Sequence, residues 1–573
     1  MKDISIVIAG EAGQGVQTVE EILVGILKKS GYHICATKEY ESRVRGGSNS
    51  TQIRISDHQV AAFVDHIDLL IPFNAEAFNH CVHRLSANTI IIIDPANKIE
   101  NMDVNGSQVI EVKMQELAKE MGNAIYVNTI IVGIVTGLFL ADKEVASNLL
   151  QTKFNKKGEE IVKQNIDAFE SGFSLGEEIT RSGKFKQVLV PDKNVKTDIL
   201  INGAQAVGLG AIAGGCNFIS AYPMSPSTGV LQFLAANSND FEIVIDQAED
   251  EIAALNKTVA AWYAGARALA STSGGGFALM TEALSLAGMM ESPAVLHIAQ
   301  RPGPATGLPT RTAQEDLNLV LYAGHGEFQR IIFAPGTIEE AFYLTQRAFN
   351  IADQYQVPVF ILTDQDFVDR YNNIPELNIT DIKIEKHHVK TEDDYQRYKF
   401  TDNGLSPRGI PGYGKGLVRA DSDEHDEQGH ITEDMDYIRP EMVKKRFYKR
   451  LELIEKIAEL PTWYGPENPK LAIICWGSTL PAIKESVEIN DRNDVAIVHF
   501  HQIYPLPADI KKFIEKKNPK KMILVEANAS GQFANLLKIH ADISIPNESL
   551  HLRFSGKPFS VEEITEIIEK EAE

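Results

Sequence analysis

Cysteine is scarce in this sequence: Cys35, Cys81, Cys216 and Cys475 are the only four among 573 residues. They lie far apart and form no Cys-x-x-Cys pair, which argues against a disulfide framework and suits a reducing compartment, so a cytoplasmic protein is expected. The same scatter argues against a four-thiolate iron–sulfur cluster on this chain, because such clusters usually take some ligands close in sequence. Positive charge is also short, with 56 Lys and Arg against 78 Asp and Glu, for a formal net charge of −22. The basic runs Lys444-Lys445-Arg446, Lys516-Lys517 and Lys520-Lys521 are too brief to track a phosphate backbone, so nucleic-acid binding is not expected. Long apolar runs are missing as well. The most apolar stretch, 130–140, is short and contains glycines and Thr136, so it reads as a buried helix rather than a membrane span. The opening residues pass directly into a strand pattern without the features of a signal peptide.

With 44% hydrophobic and 23% charged residues, the composition is that of a soluble globular protein, and the length implies three or four compact units. Apolar runs at 4–9, 69–73 and 89–94 alternate with amphipathic stretches, which predicts an α/β sheet of parallel strands up to residue 183. A Lys-rich connector over 182–196 follows. A second α/β region, 197–373, carries strand candidates at 242–246, 268–272, 295–299, 330–334 and 359–363, with small-residue helices at 252–264 and 282–290. Periodicity fades over 374–440, which includes the acidic run 421–427 and reads as a linker or interface arm. A third region, 441–573, has strands at 471–476, 495–500 and 522–526 and a charged helix near 561–570. The fold class expected is α/β, as three successive doubly wound domains.

Several motifs sit at strand–helix junctions. In Ala221-Tyr222-Pro223-Met224-Ser225-Pro226-Ser227-Thr228 two prolines flank a serine, which favours a non-helical loop that presents the Ser225 hydroxyl. Glu249-Asp250-Glu251 precedes an amphipathic helix, where a carboxylate is favourable at the N-terminus for purely structural reasons. Arg301 follows a strand, in the position where open α/β sheets gather ligands and where lone arginines also form surface ion pairs. Gly10-Glu11-Ala12-Gly13-Gln14-Gly15 leads from the first strand into a helix. Its backbone N–H groups suit an anion or simply form a turn, but it does not match Gly-x-Gly-x-x-Gly. His425, Asp426 and His430 lack a fourth ligand at convincing spacing, and Ser478 in Trp476-Gly477-Ser478-Thr479 has no histidine to activate it, so neither is assigned chemistry. No metal is assigned to this chain.

The order of these motifs resembles the fused gamma–alpha arrangement of the 2-oxoacid:ferredoxin oxidoreductases. The family's Tyr-Pro-Ile-Thr-Pro-Ser loop is matched at 222–227, with Ser225 in place of the usual threonine. The helix from Glu251 and the turn Thr272-Ser273-Gly274-Gly275-Gly276-Phe277 resemble the glutamate helix and its Gly-rich turn, and Arg301-Pro302-Gly303-Pro304 resembles the arginine loop. The segments 10–15 and Arg45-Gly46-Gly47-Ser48-Asn49 resemble the gamma domain; 425–430 and 526–532 resemble the alpha subunit.

The resemblance implies a gamma domain at 1–183, a pyrimidine-binding thiamine domain at 197–373 and a transketolase C-terminal-like domain at 441–573. It implies that Glu251, with Glu249 and Asp250 as neighbours, hydrogen-bonds the thiamine pyrimidine N1′ to promote loss of the C2 proton. Arg301, Ser225 and Tyr222 are implied for the 2-oxoacid, and Gly13 and Gly15 for coenzyme A. The chain lacks the Gly-Asp-Gly turn with which thiamine enzymes hold Mg²⁺ and the diphosphate. A beta subunit carrying that Mg²⁺ site and a [4Fe-4S] cluster is therefore implied, together with ferredoxin and an alpha–beta dimer or its dimer. The implied reaction is oxidative decarboxylation of a 2-oxoacid, 2-oxoglutarate foremost, with coenzyme A. A non-oxidative thiamine-dependent transferase and a non-catalytic scaffold subunit are the alternatives.

Overall fold

A computed structural model describes residues 3–41, 46–97, 99, 104–186 and 189–572. The chain forms two compact units. The first comprises residues 1–201 with two later segments, Arg370–Leu377 and Ser560–Glu563, and the second holds the remainder.

The first unit is built on one mixed sheet. Its strands are β1 (Asp3–Ala12), β2 (His33–Glu39), β3 (Gly46–Ser56), β4 (Leu69–Pro72), β5 (Ile90–Ile93), β6 (Gln108–Glu111), β7 (Ile199–Asn202) and β14 (Tyr371–Ile374), in the order β6-β5-β4-β1-β3-β2-β14-β7. Strands β1, β4, β5 and β6 run parallel, but β3 pairs antiparallel with both β1 and β2, and β14 antiparallel with β2. The all-parallel expectation is therefore corrected. Strand β1 is a continuous apolar run because both faces are covered: Ile4, Ile6 and Ile8 face one core, Val7 and Ala9 the other. Strand β3 escapes hydropathy because only one of its faces is apolar, through Ile53 and Ile55, while the other buries hydrogen-bonding side chains. Gln52 donates to Ser5 Oγ at 2.6 Å and to the Val64 carbonyl at 2.9 Å, and Arg54 donates to Asp3 at 2.9 Å and to the Ala62 carbonyl at 2.7 Å.

The apolar stretch near residue 130 is the helix Val127–Leu138, buried nearly all round and packed on the helix Glu159–Arg181. Their seam is glycine on both sides. A methyl group on Gly133 or Gly137 would run into the carbonyls of Phe169 and Phe173, and one on Gly172 or Gly176 into those of Ile130 and Ile134. The two backbones touch.

The second unit contains two larger sheets. One holds β8 (Phe218–Ala221), β9 (Val244–Gln247), β10 (Ala268–Thr272), β11 (Ala294–Gln300), β12 (Ile331–Phe333) and β13 (Pro358–Asp364), all parallel, with β20 (Gln502–Tyr504) antiparallel at its edge, in the order β20-β12-β13-β11-β10-β8-β9. The other orders β17 (Thr462–Tyr464), β19 (Val495–Phe500), β18 (Leu471–Trp476), β21 (Lys521–Glu526) and β22 (Leu550–Leu552), parallel apart from β17. Helices Glu251–Tyr263, Thr281–Met289 and Val561–Glu571 fall where periodicity placed them.

The segment over 374–440 is folded, although hydropathy shows no period there. It contributes the parallel pair β15 (His388–Thr391) and β16 (Arg408–Gly414). Its buried cations are engaged: Arg397 donates to the Glu291 carbonyl at 2.8 Å, and Arg408 joins Arg267 on the carboxylate of Asp353. Lys445 and Arg450 both reach the buried Glu291 carboxylate at 2.7 Å. Those cations outweigh the burial that opposes ionisation and hold the Glu291 pKa down to about 2.

Candidate active site

In the sheet β20-β12-β13-β11-β10-β8-β9, strand β8 is flanked by β9 on one side and β10 on the other. The connection after β8 runs to β9 on one side and that after β10 runs to β11 on the other, so a crevice opens between β8 and β10 at the carboxyl ends of the strands. Four sequence-predicted segments emerge there: the Tyr222–Ser227 loop after β8, Glu249–Glu251 after β9, the Gly-rich turn after β10 and Arg301 after β11.

The three candidate carboxylates separate cleanly. Asp250 caps its helix, accepting the Ala253 N–H at 2.8 Å. Glu249 is exposed and ion-paired with Lys257 at 3.0 Å, which holds its pKa below the usual range together with a backbone hydrogen bond. Glu251 is 4% exposed, and its Oε1 is enclosed with no hydrogen-bond partner. Room for it is made by Gly276, where a methyl group would lie 2.7 Å from Glu251 Cγ and 2.8 Å from Oε1, besides colliding with Thr272 Oγ1.

Arg301 is half-buried and donates from Nη1 to the backbone carbonyl of Ser225 at 2.6 Å. This bond ties the arginine loop to the serine loop, in which Tyr222 and Ser225 are exposed while Ser227 turns inward and donates to the Met224 carbonyl at 2.8 Å. The Met224 thioether accepts from Ser273 Oγ at 3.4 Å and closes the floor between the loop and the Gly-rich turn.

A fourth carboxylate is not foreseen from sequence. Asp316 lies beside Arg301, and its side chain occupies the space a Cβ on Gly274 would need. Its Oδ2 is enclosed without a hydrogen-bond partner. Burial, with Glu315 adding repulsion, raises its pKa to about 7, although Arg301 pulls the other way. In sequence Asp316 reads as a helix cap before Leu317–Tyr322. It occupies that position, yet its side chain makes no capping bond.

The loop that carries Asp316 is held by the motif at 526–532. Gln314 and Ala527 exchange backbone and side-chain bonds at 2.7 and 2.8 Å, Asn528 donates to the Gln314 carbonyl at 3.0 Å, and Gln532 donates to the Glu315 carbonyl at 2.7 Å. Trp476 accepts from Gln314 through its carbonyl at 2.8 Å, and Ser478, which starts a helix, donates to the Asp364 carboxylate. His425 is buried and stacked on Tyr398 at 3.7 Å between ring centroids, whereas His430 is exposed and paired with Asp426, so the three residues do not converge.

In the first unit, Gly13 and Gly15 have φ of 92° and 83°, conformations that favour glycine, and Gly15 precedes the helix Val16–Lys29. They border a cavity of about 320 Å³ that is also lined by Glu11, Lys38, Glu41 and Asn49. Arg45 lies outside the described residues.

Comparison with known proteins matches residues 5–175 to the family model described as pyruvate ferredoxin/flavodoxin oxidoreductase. Residues 209–445 match the model described as pyruvate flavodoxin/ferredoxin oxidoreductase, thiamine diP-bdg. A 2-oxoacid:ferredoxin oxidoreductase subunit alpha from Sulfolobus sp is 31% identical over 99% of this chain and 96% of its own length. The chain belongs to the 2-oxoacid:ferredoxin oxidoreductase family. A 2-oxoglutarate oxidoreductase subunit KorA from Mycobacterium tuberculosis is 26% identical over 94% of this chain and 87% of its own. The solved 2-oxoglutarate:ferredoxin oxidoreductase from Magnetococcus marinus, with 2-oxoglutarate, coenzyme A and succinyl-CoA bound, superposes with a TM-score of 0.91 at 29% identity, covering all of both chains. The α/β class read from sequence and the enzymatic reading both hold. Among the described residues, no helix is long and apolar enough to cross a membrane.

Proposed function

We propose that this chain is the gamma–alpha subunit of a 2-oxoglutarate:ferredoxin oxidoreductase. In the net reaction the C1–C2 bond of the 2-oxoacid breaks and CO₂ leaves, the acyl carbon joins the coenzyme A sulfur, and two electrons pass one at a time to ferredoxin. The observation that carries the reading is Glu251: a buried carboxylate with one oxygen lacking a hydrogen-bond partner, set against a glycine and facing a crevice at the switch point of the sheet. A buried carboxylate oxygen without a partner calls for an explanation, and a ligand group that completes it is one. An N–H of a thiamine pyrimidine fits that vacancy in chemistry, and the segment lies within the residues matched to the thiamine diphosphate-binding model.

Thiamine diphosphate, when bound, supplies the carbanion chemistry. Glu251 holds a proton at N1′ of the pyrimidine. Arg301 keeps donors beyond the one spent on Ser225, and its planar fork pairs with the substrate carboxylate. Ser225 offers a hydroxyl and Tyr222 an aromatic face on the exposed side of the same loop. Asp316, with its pKa near 7, can hold or release a proton at working pH. Gly13 and Gly15 contribute backbone N–H groups toward coenzyme A.

The chain holds no Gly-Asp-Gly turn, and its four cysteines are buried and widely separated in sequence, with no Cys-x-x-Cys spacing. We therefore assign Mg²⁺ and a [4Fe-4S] cluster to a beta subunit, in an alpha–beta dimer or its dimer, located in the cytoplasm with ferredoxin as acceptor. The family-model matches at 5–175 and 209–445 support a gamma domain at 1–183 and a pyrimidine-binding domain at 197–373, apart from β14 in the first unit's sheet, and we assign 441–573 as transketolase C-terminal-like with 374–440 between the two.

The test is reconstitution. The chain purified alone should contain no stoichiometric iron and show no turnover. With its beta subunit it should reduce ferredoxin with 2-oxoglutarate and coenzyme A at a higher kcat/KM than with pyruvate or branched 2-oxoacids. Turnover by the isolated chain, or preference for another 2-oxoacid, would overturn the subunit division or the substrate. A reconstituted complex without the visible absorbance of a cluster would point to non-oxidative transfer.

A further inference from the structure

One cluster of side chains in the second unit has no part in the proposed chemistry. Glu340 stands in the first turn of the helix Ile338–Tyr355, which Thr337 caps through its side chain. His499 is the penultimate residue of β19, and His501 lies two residues on, just before β20. One carboxylate oxygen and one nitrogen from each ring lie within 4.8 Å of one another.

Glu340 and His501 each have one atom engaged and one available, and His499 has neither nitrogen engaged. Glu340 Oε2 accepts the Gly336 N–H at 2.7 Å, while Oε1 stands 3.6 Å from His499 Nδ1, too far for a hydrogen bond. His499 is fully enclosed, and neither of its ring nitrogens has a hydrogen-bond partner. Its Nε2 lies against Gly336, where a methyl group would come within 2.6 Å, so Nδ1 is the atom turned to Glu340. His501 Nε2 is 2.9 Å from Glu459 Oε2, and the other Glu459 oxygen is fixed by Arg347 at 2.6 Å. That leaves His501 Nδ1 buried and unpartnered.

A neutral imidazole buried with both nitrogens unsatisfied is costly, and the simplest ligand that would satisfy His499, His501 and Glu340 together is a cation. Two imidazoles and one carboxylate match a borderline divalent transition ion rather than Mg²⁺ or Ca²⁺, which take oxygen ligands. The Glu459–His501 pair has the form of the outer carboxylate that fixes a ligating imidazole. We infer that Glu340, His499 and His501 form a binding site for a divalent ion of the zinc type, with Glu459 orienting His501 and a fourth position left to water. Rotamer shifts must contract the spacing to roughly 3.4 Å, the separation set by tetrahedral bonds of about 2.0–2.1 Å. The ion would join the helix that follows β12 to the end of β19.

The test is titration of the full-length chain, stripped with chelator, with Co(II) as the spectroscopic probe. One equivalent should bind with the intense visible absorption of four-coordinate Co(II), and Zn(II) should displace it. Glu340→Gln and His501→Gln should each abolish that spectrum, and Glu459→Gln should weaken binding about 10- to 100-fold. If His501→Gln fails to fold, Glu340→Gln at the partly exposed helix start carries the comparison, and Zn(II) should raise the Tm of the unaltered chain but not of this variant. Weak six-coordinate spectra, binding that survives both substitutions, or an unmoved Tm would overturn the site.

Discussion

Replacing Glu251 by Gln separates stability from chemistry more sharply than any other change in this crevice. The carboxylate is 4% exposed and one oxygen has no hydrogen-bond partner, so the unliganded fold bears the desolvation of a group it does not satisfy, a cost of about 1–3 kcal/mol. Glutamine keeps the shape and removes the charge. In the free chain Glu251→Gln should therefore leave stability unchanged or raise it by about 1–2 kcal/mol. For a unit of roughly 360 residues this is an increase in Tm of about 1–3 °C. The same change removes the proton acceptor at N1′, and loss of acid–base catalysis costs about 10²- to 10⁴-fold. Hydrogen–deuterium exchange at C2 of the bound cofactor in the assembled enzyme reads this step directly, and scanning calorimetry of the free chain reads the other. Unchanged exchange would remove Glu251 from the chemistry. A large fall in Tm would show that its carboxylate is a structural anchor.

Three further outcomes follow from the geometry. Asp316 has a folded pKa of about 7 against about 3.9 unfolded. The folded state then binds more protons than the unfolded one between those values, and the contribution of Asp316 to stability falls as pH rises from about 4 to about 7. The Tm of Asp316→Asn minus that of the parent should grow across this window and level above it; parallel profiles would refute the shift. Arg301→Ala should weaken 2-oxoacid use roughly ten- to over a hundredfold and spare coenzyme A, with Arg301→Lys recovering part, Ser225→Ala costing less and Ser225→Thr little. Equal defects for both substrates would take these residues out of the pocket. Gly172→Ala drives a methyl group into the Ile130 carbonyl and should destabilise the first unit by about 1–3 kcal/mol or more in urea melts; an unaltered midpoint would mean that the seam can part.

The strands buried on both faces, such as β1, β11, β13, β18 and β19, are readable from sequence because burial selects apolar residues at most positions on both faces. Strand β3 is not, since Ile53 and Ile55 supply only one apolar face and the other buries Gln52 and Arg54 through hydrogen bonds that composition does not reveal. Glu251, Arg301 and Ser225 are singled out by motif order, each shortly after a strand. Asp316 was missed because an aspartate before an apolar helix already has an adequate local explanation as a cap, and only the fold shows its carboxylate turned toward Gly274. Glu340, His499 and His501 are likewise invisible in sequence: the helix start and the strand end meet only through the packing of two sheets.

The return of Arg370–Leu377 and Ser560–Glu563 to the first unit has a consequence for biosynthesis. Strand β14 sits between β2 and β7, and Asn373 there accepts the Ile34 N–H at 2.6 Å. Ribosomes add about 5–20 residues per second, so some 10–35 seconds separate the emergence of β7 from that of β14. Throughout that interval the nascent sheet presents the open edge of β2, a template for pairing with other chains. The N-terminal unit is thus the first to be synthesised and among the last to close. An organism that encodes this unit as a separate polypeptide must cover the β2 edge with some other strand, and a truncated fragment ending near residue 201 should associate through it.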